Sequence, residues 1–329
     1  MDVVSVKRRY EHQLIKIPGV VGVATNPTKK LLLLLSSPKY LKTTPNVVAG
    51  IPVKKVVVGE MRALGISQSQ DSGNQVSTEI IPNRQKVRPL VGGLSISPPE
   101  RIAGTLGIIT EDDVILTNAH VAAINYITGK FEPKKTPIFQ PSWLDGGTKE
   151  DEVGELEIYT NIQPNTPRTV DGATCTISTD YRKMYVMGIG ELEGWTIPER
   201  GSVVYKSGRT TGVTSSVVLT NDATIKMGGY PWGYTIFKEC IITVPAIAEE
   251  GDSGSVLVED NHVAGLVFGG SPLATAACRM DNVIPELGVC LGKRYKVKER
   301  GIVDDLSDIV KAYILSMLPA LGVIVCNQR

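Results

Sequence analysis

Short apolar segments dominate the chain between Pro89 and Gly292, and they restrict the folds that this region can adopt. Turn-forming residues (glycine, proline, asparagine and aspartate) interrupt them about every ten residues. Representative segments are Leu106–Ile109, Val114–Leu116, Val203–Tyr205, Val217–Leu219 and Val263–Val267. Runs of this length and spacing are typical of an all-β barrel or sandwich. About 200 residues of this pattern would suit two barrels of similar size.

The chain before this region has a different pattern. Four apolar residues recur at helical spacing: Val6, Tyr10, Leu14 and Ile17. They predict an amphipathic helix that ends at Pro18-Gly19. Three apolar runs then predict strands: Val20–Ala24, Leu31–Leu35 and Val53–Val58. Near the other end, an apolar stripe predicts a C-terminal helix: Leu306, Ile309, Val310, Tyr313, Ile314 and Met317.

These patterns divide the chain into five predicted parts. They are a small N-terminal α/β domain (1–66), a polar linker (67–88), a first β-barrel (89–198), a second β-barrel (199–295) and a C-terminal helix and tail (296–329). The predicted class is therefore mainly β, with a small α/β domain before it.

Composition excludes several function classes. The 35 basic and 34 acidic side chains nearly cancel, so no charge excess favours nucleic acid or an anionic membrane as a partner. The five cysteines are odd in number and scattered, and the first ten residues contain no apolar core of a secretory signal. These features predict reduced thiols and a cytoplasmic location. The sequence has no Cys-x-x-Cys motif and no His/Cys cluster, so we expect neither a metal ion nor another cofactor.

Three histidines are available as the general base that a hydroxyl nucleophile needs. His12 lies between polar neighbours on the predicted opening helix, and His262 lies in a predicted turn. His120 differs, because it ends an apolar strand that finishes in small polar residues. A lone histidine is more often structural than catalytic, so His120 is a candidate only in combination with a nucleophile.

Ser253 is the candidate nucleophile, in the run Gly251-Asp252-Ser253-Gly254. The flanking glycines allow a sharp turn that points the N–H groups of Gly251 and Ser253 at one spot, as an oxyanion hole requires. All four residue types also favour ordinary turns, so the tetrapeptide alone is weak evidence.

Thr117–His120 and Gly251–Gly254 resemble the two signature motifs of chymotrypsin/trypsin-like serine peptidases. Other stretches resemble a bacterial subgroup related to the plant protein narrow leaf 1: Pro18–Val23, Pro89–Ile96, Ala103–Gly107, Gln140–Pro141, Asp145–Gly147 and Lys206–Gly212. The resemblance implies a chymotrypsin-like pair of six-stranded antiparallel β-barrels with the active site between them. It also implies a serine endopeptidase that acts on a protein or peptide substrate through a catalytic triad.

The third member of that triad is expected between His120 and Ser253. Asp171 is the leading candidate, because Val170-Asp171 resembles a family segment and an alternating apolar strand follows. Asp145 in a glycine-rich turn and Asp180 before a bulky segment are the alternatives.

By family position, the primary substrate pocket is expected to be lined by Ile247, Phe268, Gly269 and Gly270. Ile247 favours an apolar substrate side chain, whereas Glu249 or Glu250 would attract a basic one if they were not simply solvated. Lys206 and Arg209 are expected to stabilise a turn in the second barrel.

Two further features bear on location and on activation. Val121 stands where secreted relatives carry a disulfide-bonded cysteine, which agrees with an intracellular location. Leu90–Gly93 resembles the new N-terminus that zymogen cleavage creates, and its partner would be Asp252. The plainer interpretation of Leu90–Gly93 is a strand that enters the first barrel.

An alternative function remains open at this point. A latent or inactive module on the same fold could bind peptides or act as a scaffold, because fold alone does not determine function. A homo-oligomer could form through Leu31–Leu35 or the tail helix, although internal packing of both is the default.

Overall fold

The computed structural model describes residues 2–26, 28–64 and 81–296. Strands predominate and helices are few, which confirms the mainly β class predicted from the sequence. No helix among these residues is long and apolar enough to cross a membrane. The predicted C-terminal helix and most of the predicted polar linker lie outside the described residues.

The N-terminal layer consists of the described residues between Asp2 and Leu64. Its helix α1 spans Val3–Leu14, and its strands are β1 (Val20–Asn26), β2 (Lys30–Leu35), β3 (Val47–Val48), β4 (Ile51–Val57) and β5 (Arg62–Ala63). The Asp2 carboxylate begins α1, because it accepts hydrogen bonds from the N–H groups of Val4 and Ser5 at 3.0 Å each. Strand β2 lies between β1, which is antiparallel to it, and β4, which is parallel to it.

The run Leu31–Leu35 is fully buried because β2 is covered on both faces. Leu31, Leu33 and Leu35 pack with apolar residues of α1, whereas Leu32 and Leu34 join a core shared with the rest of the chain. The five leucines therefore pack within the chain, which is the default predicted for them from the sequence.

The first lobe follows, with many short strands and one short helix. The strands are β6 (Leu90–Gly92), β7 (Ser95–Ile96), β8 (Gly104–Thr105), β9 (Ile108–Ile109), β10 (Ile115–Thr117), β11 (Ile124–Asn125), β12 (Lys130–Phe131), β13 (Pro137–Phe139), β14 (Glu152–Tyr159), β15 (Ala173–Cys175), β16 (Tyr181–Val186) and β17 (Gly190–Glu191). Helix α2 spans Ala119–Ala122. The main sheet has the order β13-β14-β15-β10-β9, and smaller sheets surround the same apolar core.

The second lobe is a closed barrel. Its strands are β18 (Val203–Gly208), β19 (Gly212–Tyr230), β20 (Gly233–Val244), β21 (Val256–Glu259), β22 (His262–Gly270) and β23 (Thr275–Arg279), followed by helix α3 (Met280–Leu287). The strands pair antiparallel in the order β18-β21-β22-β23-β20-β19, and β18 also pairs with β19. This last pairing closes a six-stranded antiparallel barrel, which leaves no free barrel edge.

The N-terminal layer extends the sheet of this second barrel. Strand β1 pairs antiparallel with β19, so that Gly22 lies opposite Ile225 and Val23 opposite Thr224. The layer and the barrel therefore share one sheet and one apolar core. This continuity places the end of the layer, Arg62–Leu64, against the second barrel.

Candidate active site

His120 and Asp171 meet because their flanking strands pair. Strand β10 precedes His120, strand β15 follows Asp171, and the two strands are antiparallel with Thr117 opposite Ala173. His120 Nδ1 lies 2.7 Å from Asp171 Oδ2, and the His120 main-chain N–H donates to Asp171 Oδ1 at 3.1 Å. Both side chains are fully buried. A carboxylate at Nδ1 favours the tautomer that carries its proton there, which leaves Nε2 free to accept one.

Tyr230, at the end of β19, reaches the same carboxylate from the second barrel. Its hydroxyl donates to Asp171 Oδ2 at 2.6 Å. Burial, and then the nearby Asp171 charge, raises the pKa of Tyr230 well above its ordinary value. The tyrosine therefore stays protonated and remains a donor. Asn118 adds a hydrogen bond from Nδ2 to the main-chain oxygen of Asp171 at 2.6 Å.

The loop that carries Ser253 depends on two glycines. Gly251 and Gly254 have φ angles of +96° and +95°, in the left-handed region that glycine adopts most easily. A Cβ atom at Gly254 would lie 2.1 Å from the Thr105 carbonyl oxygen, so no larger residue fits there. Thr105 also donates from its main-chain N–H to the Ser253 carbonyl oxygen at 2.7 Å. These contacts dock the serine loop onto the first lobe.

A buried ion pair holds Asp252, the residue before Ser253. Lys206 Nζ lies 3.1 Å from Asp252 Oδ2, and both side chains are inaccessible to solvent. The carboxylate also accepts hydrogen bonds from the N–H groups of Thr210 and Glu249, at 2.8 and 3.0 Å. Burial lowers the pKa of Lys206, against the attraction of the Asp252 charge. Lys206 thus takes the place opposite Asp252 that a processed N-terminus would need, and Leu90–Gly92 is strand β6.

The alternative aspartates are placed away from this role. Asp145 forms a two-point ion pair with Arg209, whose Nε and Nη2 lie 2.7 Å from its two oxygens. Asp180 is exposed. Of the other histidines, His12 is exposed and His262 stacks on Tyr295, with 4.3 Å between ring centroids.

Ser253 and His120 do not hydrogen-bond to each other in this structure. Ser253 Oγ donates to the Phe268 carbonyl oxygen at 3.3 Å. His120 Nε2 is buried and has no hydrogen-bond partner in the described part of the chain. Ser253 itself has no solvent exposure. The side chain that would act as nucleophile is therefore covered.

The side chains of two expected pocket residues, Ile247 and Phe268, pack in different apolar clusters. Ile247 packs in an apolar cluster that also contains Leu64, Ala248 and Val267. The Phe268 side chain lies instead in the larger core, with its ring centroid 4.7 Å from that of Phe237. Glu249 and Glu250 are exposed.

Gly269 and Gly270 border the two-residue strand β5, which the sequence pattern does not predict. They pair antiparallel with Ala63 and Arg62 of β5. Immediately after β5, the Leu64 carbonyl oxygen accepts a hydrogen bond from the Gly251 N–H at 2.6 Å. Among the described residues, no group of three or more His, Cys, Asp or Glu side chains is arranged to hold a metal ion.

Comparisons with known proteins give similar structures but no sequence family. No protein-family model matches the chain, and no curated protein sequence matches it. One similar solved structure is a chymotrypsin from Cellulomonas bogoriensis, with 18% identity over 61% of this chain and 97% of that chain, and a TM-score of 0.45. A Nocardiopsis protease has 18% identity over 62% of this chain and 98% of that chain, also with a TM-score of 0.45. Thermobifida fusca protease A has 17% identity over the same shares, and its TM-score is again 0.45.

Proposed function

We propose that the protein is a serine endopeptidase in which Ser253 is the nucleophile, His120 the general base and Asp171 the residue that orients the base. The observation that carries this proposal is the environment of His120. Asp171 holds Nδ1 at 2.7 Å, and Nε2 is buried without a partner in the described part of the chain. A buried, oriented imidazole with a free acceptor nitrogen is what proton removal from a hydroxyl requires.

The sequence resemblance to chymotrypsin-like serine peptidases supports the same assignment and the same two-barrel arrangement. The relation to the narrow leaf 1 subgroup and the cytoplasmic location stay predictions. The proposed substrate is a protein or peptide, because the glycine-lined edge of β22 can pair with an extended peptide backbone.

In the first half of the reaction, Ser253 Oγ attacks the substrate carbonyl carbon while its proton passes to His120 Nε2. The Ser253 side chain must first rotate away from the Phe268 carbonyl. The oxygen of the tetrahedral intermediate accepts hydrogen bonds from the N–H groups of Gly251 and Ser253. His120 then gives the proton to the departing amine nitrogen as the C–N bond breaks, which leaves an ester on Ser253.

In the second half, a water molecule attacks that ester. His120 Nε2 takes a proton from the water and returns it to Ser253 Oγ as the ester C–O bond breaks. The products are a carboxylic acid and the original serine hydroxyl. The Asp171 carboxylate, with its hydrogen bond from Tyr230, stabilises the imidazolium that forms in each half.

A fluorophosphonate probe tests this assignment, because it labels only an activated serine. The wild-type protein should be labelled to completion over hours, and Ser253→Ala should not be labelled at all. The matched control is Ser178→Ala, since Ser178 is exposed on the first lobe and should leave labelling unchanged. Labelling of Ser253→Ala at the wild-type level would contradict the proposal.

One observation favours a second candidate function. Ser253 is fully buried and is not hydrogen-bonded to His120, as expected for a latent module that binds peptides. Such a module would remain unlabelled even when its cleft is opened. Fluorophosphonate labelling of Leu64→Asp provides that test.

A further inference from the structure

The edge of β22 that would receive a substrate is already occupied by this chain. Strand β5 pairs antiparallel with β22, so that Ala63 lies opposite Gly269 and Arg62 opposite Gly270. A Cβ atom at Gly269 would lie 2.7 Å from the Arg62 carbonyl oxygen, so the glycine allows this close approach. Addition of an extended peptide to a sheet edge is a general mode of peptide recognition.

The other side of β5 is also held by the second barrel. Arg62 lies opposite Gly228 of β19, and the Gly228 N–H donates to the Met61 carbonyl oxygen at 2.9 Å. We call residues Arg62, Ala63 and Leu64 the cleft segment. Backbone contacts on both sides fix its position independently of the exposed Arg62 side chain.

The carbonyl group of Leu64 lies where a substrate carbonyl is needed. Its oxygen accepts a 2.6 Å hydrogen bond from the Gly251 N–H, one of the two proposed oxyanion donors. Gly251 lies two residues before Ser253, on the same loop. The cleft segment therefore presents a peptide carbonyl to the nucleophile loop as a bound substrate would.

The Leu64 side chain fills an apolar pocket. It is 7% exposed, and its cluster includes Ile247, Ala248 and Val267. Leu64 Cδ1 would be 3.5 Å from a Cβ atom at Gly270. Burying a charged side chain in such a cluster without a partner is strongly unfavourable. The pocket therefore suits an aliphatic side chain of about the size of leucine.

We propose that the cleft segment occupies the substrate-binding site of the proposed peptidase, with Leu64 in the primary specificity pocket. Two consequences follow: the enzyme prefers leucine-like residues on the acyl side of the cleaved bond, and its own cleft segment competes with substrate. This inference rests on the proposed function, because a substrate-binding site presupposes a peptidase. Occupancy of that site by the cleft segment does not depend on whether the chain is cut after Leu64.

The main test compares Leu64→Asp with the full-length wild type. A buried carboxylate in the apolar pocket should expel the cleft segment, so fluorophosphonate labelling should be at least about tenfold faster. A tenfold change corresponds to a loss of ~1.4 kcal/mol in the free energy that keeps the cleft segment in place. Val47→Asp is the matched control, because Val47 is an exposed valine of the same layer. It should label at the wild-type rate. Equal labelling rates for Leu64→Asp and a labelled wild type would overturn the inference while leaving the proposed function intact.

Leu64→Ala keeps the inference testable if the aspartate variant does not fold. The peptide Glu-Met-Arg-Ala-Leu, which copies residues 60–64, should inhibit this variant competitively, and a scrambled peptide should not. Among fluorogenic peptides, leucine at the cleaved position should exceed lysine and glutamate by about tenfold or more in kcat/KM, as a buried apolar contact predicts. Preference for lysine or glutamate would contradict the pocket assignment.

A binding measurement separates this inference from the proposed function. The double variant Leu64→Asp/Ser253→Ala cannot react, so calorimetry with the same peptide reports the cleft alone. Binding there, with no labelling of wild type or Leu64→Asp, would retain the occupied cleft and reject the peptidase in favour of the latent module. Absence of binding, with normal labelling of both, would reject the occupied cleft only.

Discussion

Two buried aspartates, one beside each half of the candidate site, can be compared directly. Asp171 holds His120 in the first lobe, and Asp252 holds the Ser253 loop in the second barrel. The partners of Asp171 are neutral donors together with the imidazole, whereas Asp252 faces the ammonium group of Lys206. The first arrangement leaves the Asp171 charge available to an imidazolium, and the second neutralises the Asp252 charge to fix a loop.

The candidate site is covered even though both of its aspartates are held in place. Both carboxylates have their partners in the structure, so the backbone of each half is already in place. In the proposed reaction, Ser253 Oγ has to leave the Phe268 carbonyl oxygen, and the proposed substrate site is occupied by the cleft segment. The proposed function therefore requires access to Ser253 and rotation of its side chain, whereas both aspartates can keep their partners.

The largest expected effect comes from the Asp252 side. Lys206→Met leaves a buried carboxylate without its cation, and breaking a buried ion pair in this way typically costs about 3–5 kcal/mol in the free energy of unfolding. Denaturant unfolding of the full chain measures this loss. Adding Asp252→Asn removes the uncompensated charge and should restore part of the stability.

The control for Lys206→Met is an exposed ion pair. Arg182 and Glu191 lie 2.9 Å apart at the surface, so Arg182→Met should change the unfolding free energy only slightly. Equal losses for the two variants would mean that the buried pair does not hold the serine loop.

A smaller effect is expected on the Asp171 side. Tyr230→Phe removes one hydrogen bond to a charged group, which is worth about 1.5–3 kcal/mol, and should lower kcat by about tenfold or more. Because Tyr230 acts through Asp171 rather than on substrate, KM should stay unchanged. Steady-state kinetics on the Leu64→Ala background, in which substrate should displace the cleft segment more easily, would measure both constants.

Tyr126→Phe is the matched control for this change. The Tyr126 hydroxyl is buried but has no hydrogen-bond partner in the described part of the chain, so its removal should leave kcat unaffected. A rise in KM without a fall in kcat for Tyr230→Phe would assign the tyrosine to substrate binding instead.

His120, Asp171 and Ser253 could be proposed from the sequence because each lies in a short local pattern that resembles a motif of chymotrypsin-like serine peptidases. A strand ending in small polar residues, an alternating strand and a glycine-bounded serine are all visible within a few residues. Tyr230 was missed because its contact with Asp171 crosses between the lobes and depends on where β19 ends.

The cleft segment could not be predicted for a similar reason. Strand β5 has only two residues, and its partners Gly269 and Gly270 lie more than 200 positions away in the sequence. Apolar periodicity needs a longer run to indicate a strand, and it does not identify distant pairing partners. Because periodicity does not identify distant partners, the pairing of β1 with β19 was not predicted either. The N-terminal layer was therefore expected as a small domain of its own rather than as an extension of the barrel sheet.

The smallest expected effect concerns the attachment of this layer. Glu11 in α1 accepts hydrogen bonds from Lys238 Nζ at 2.6 Å and Thr224 Oγ1 at 2.7 Å, both on the β19–β20 hairpin. Burial raises the pKa of Glu11, but the hydrogen bonds from Lys238 and Thr224 and the charge of Lys7 outweigh it, so the pKa lies below its ordinary 4.5. A carboxyl with a depressed pKa in the folded state stabilises the fold above its unfolded pKa, and this contribution disappears as the pH falls through the folded value.

Glu11→Gln should therefore lower the free energy of unfolding at pH 7 and flatten its dependence on pH below about 4.5, where the wild type loses the contribution of Glu11. Denaturant unfolding of both proteins at about pH 7, 5, 4 and 3, which roughly spans the titration of a carboxyl group, measures the two pH dependences. If the rest of the layer helps to hold the cleft segment, the variant should also label faster with fluorophosphonate at neutral pH. Parallel stability curves for the two proteins would show that Glu11 does not attach the layer. Equal labelling rates despite lower stability would show that the cleft segment is held by β19 and β22 alone.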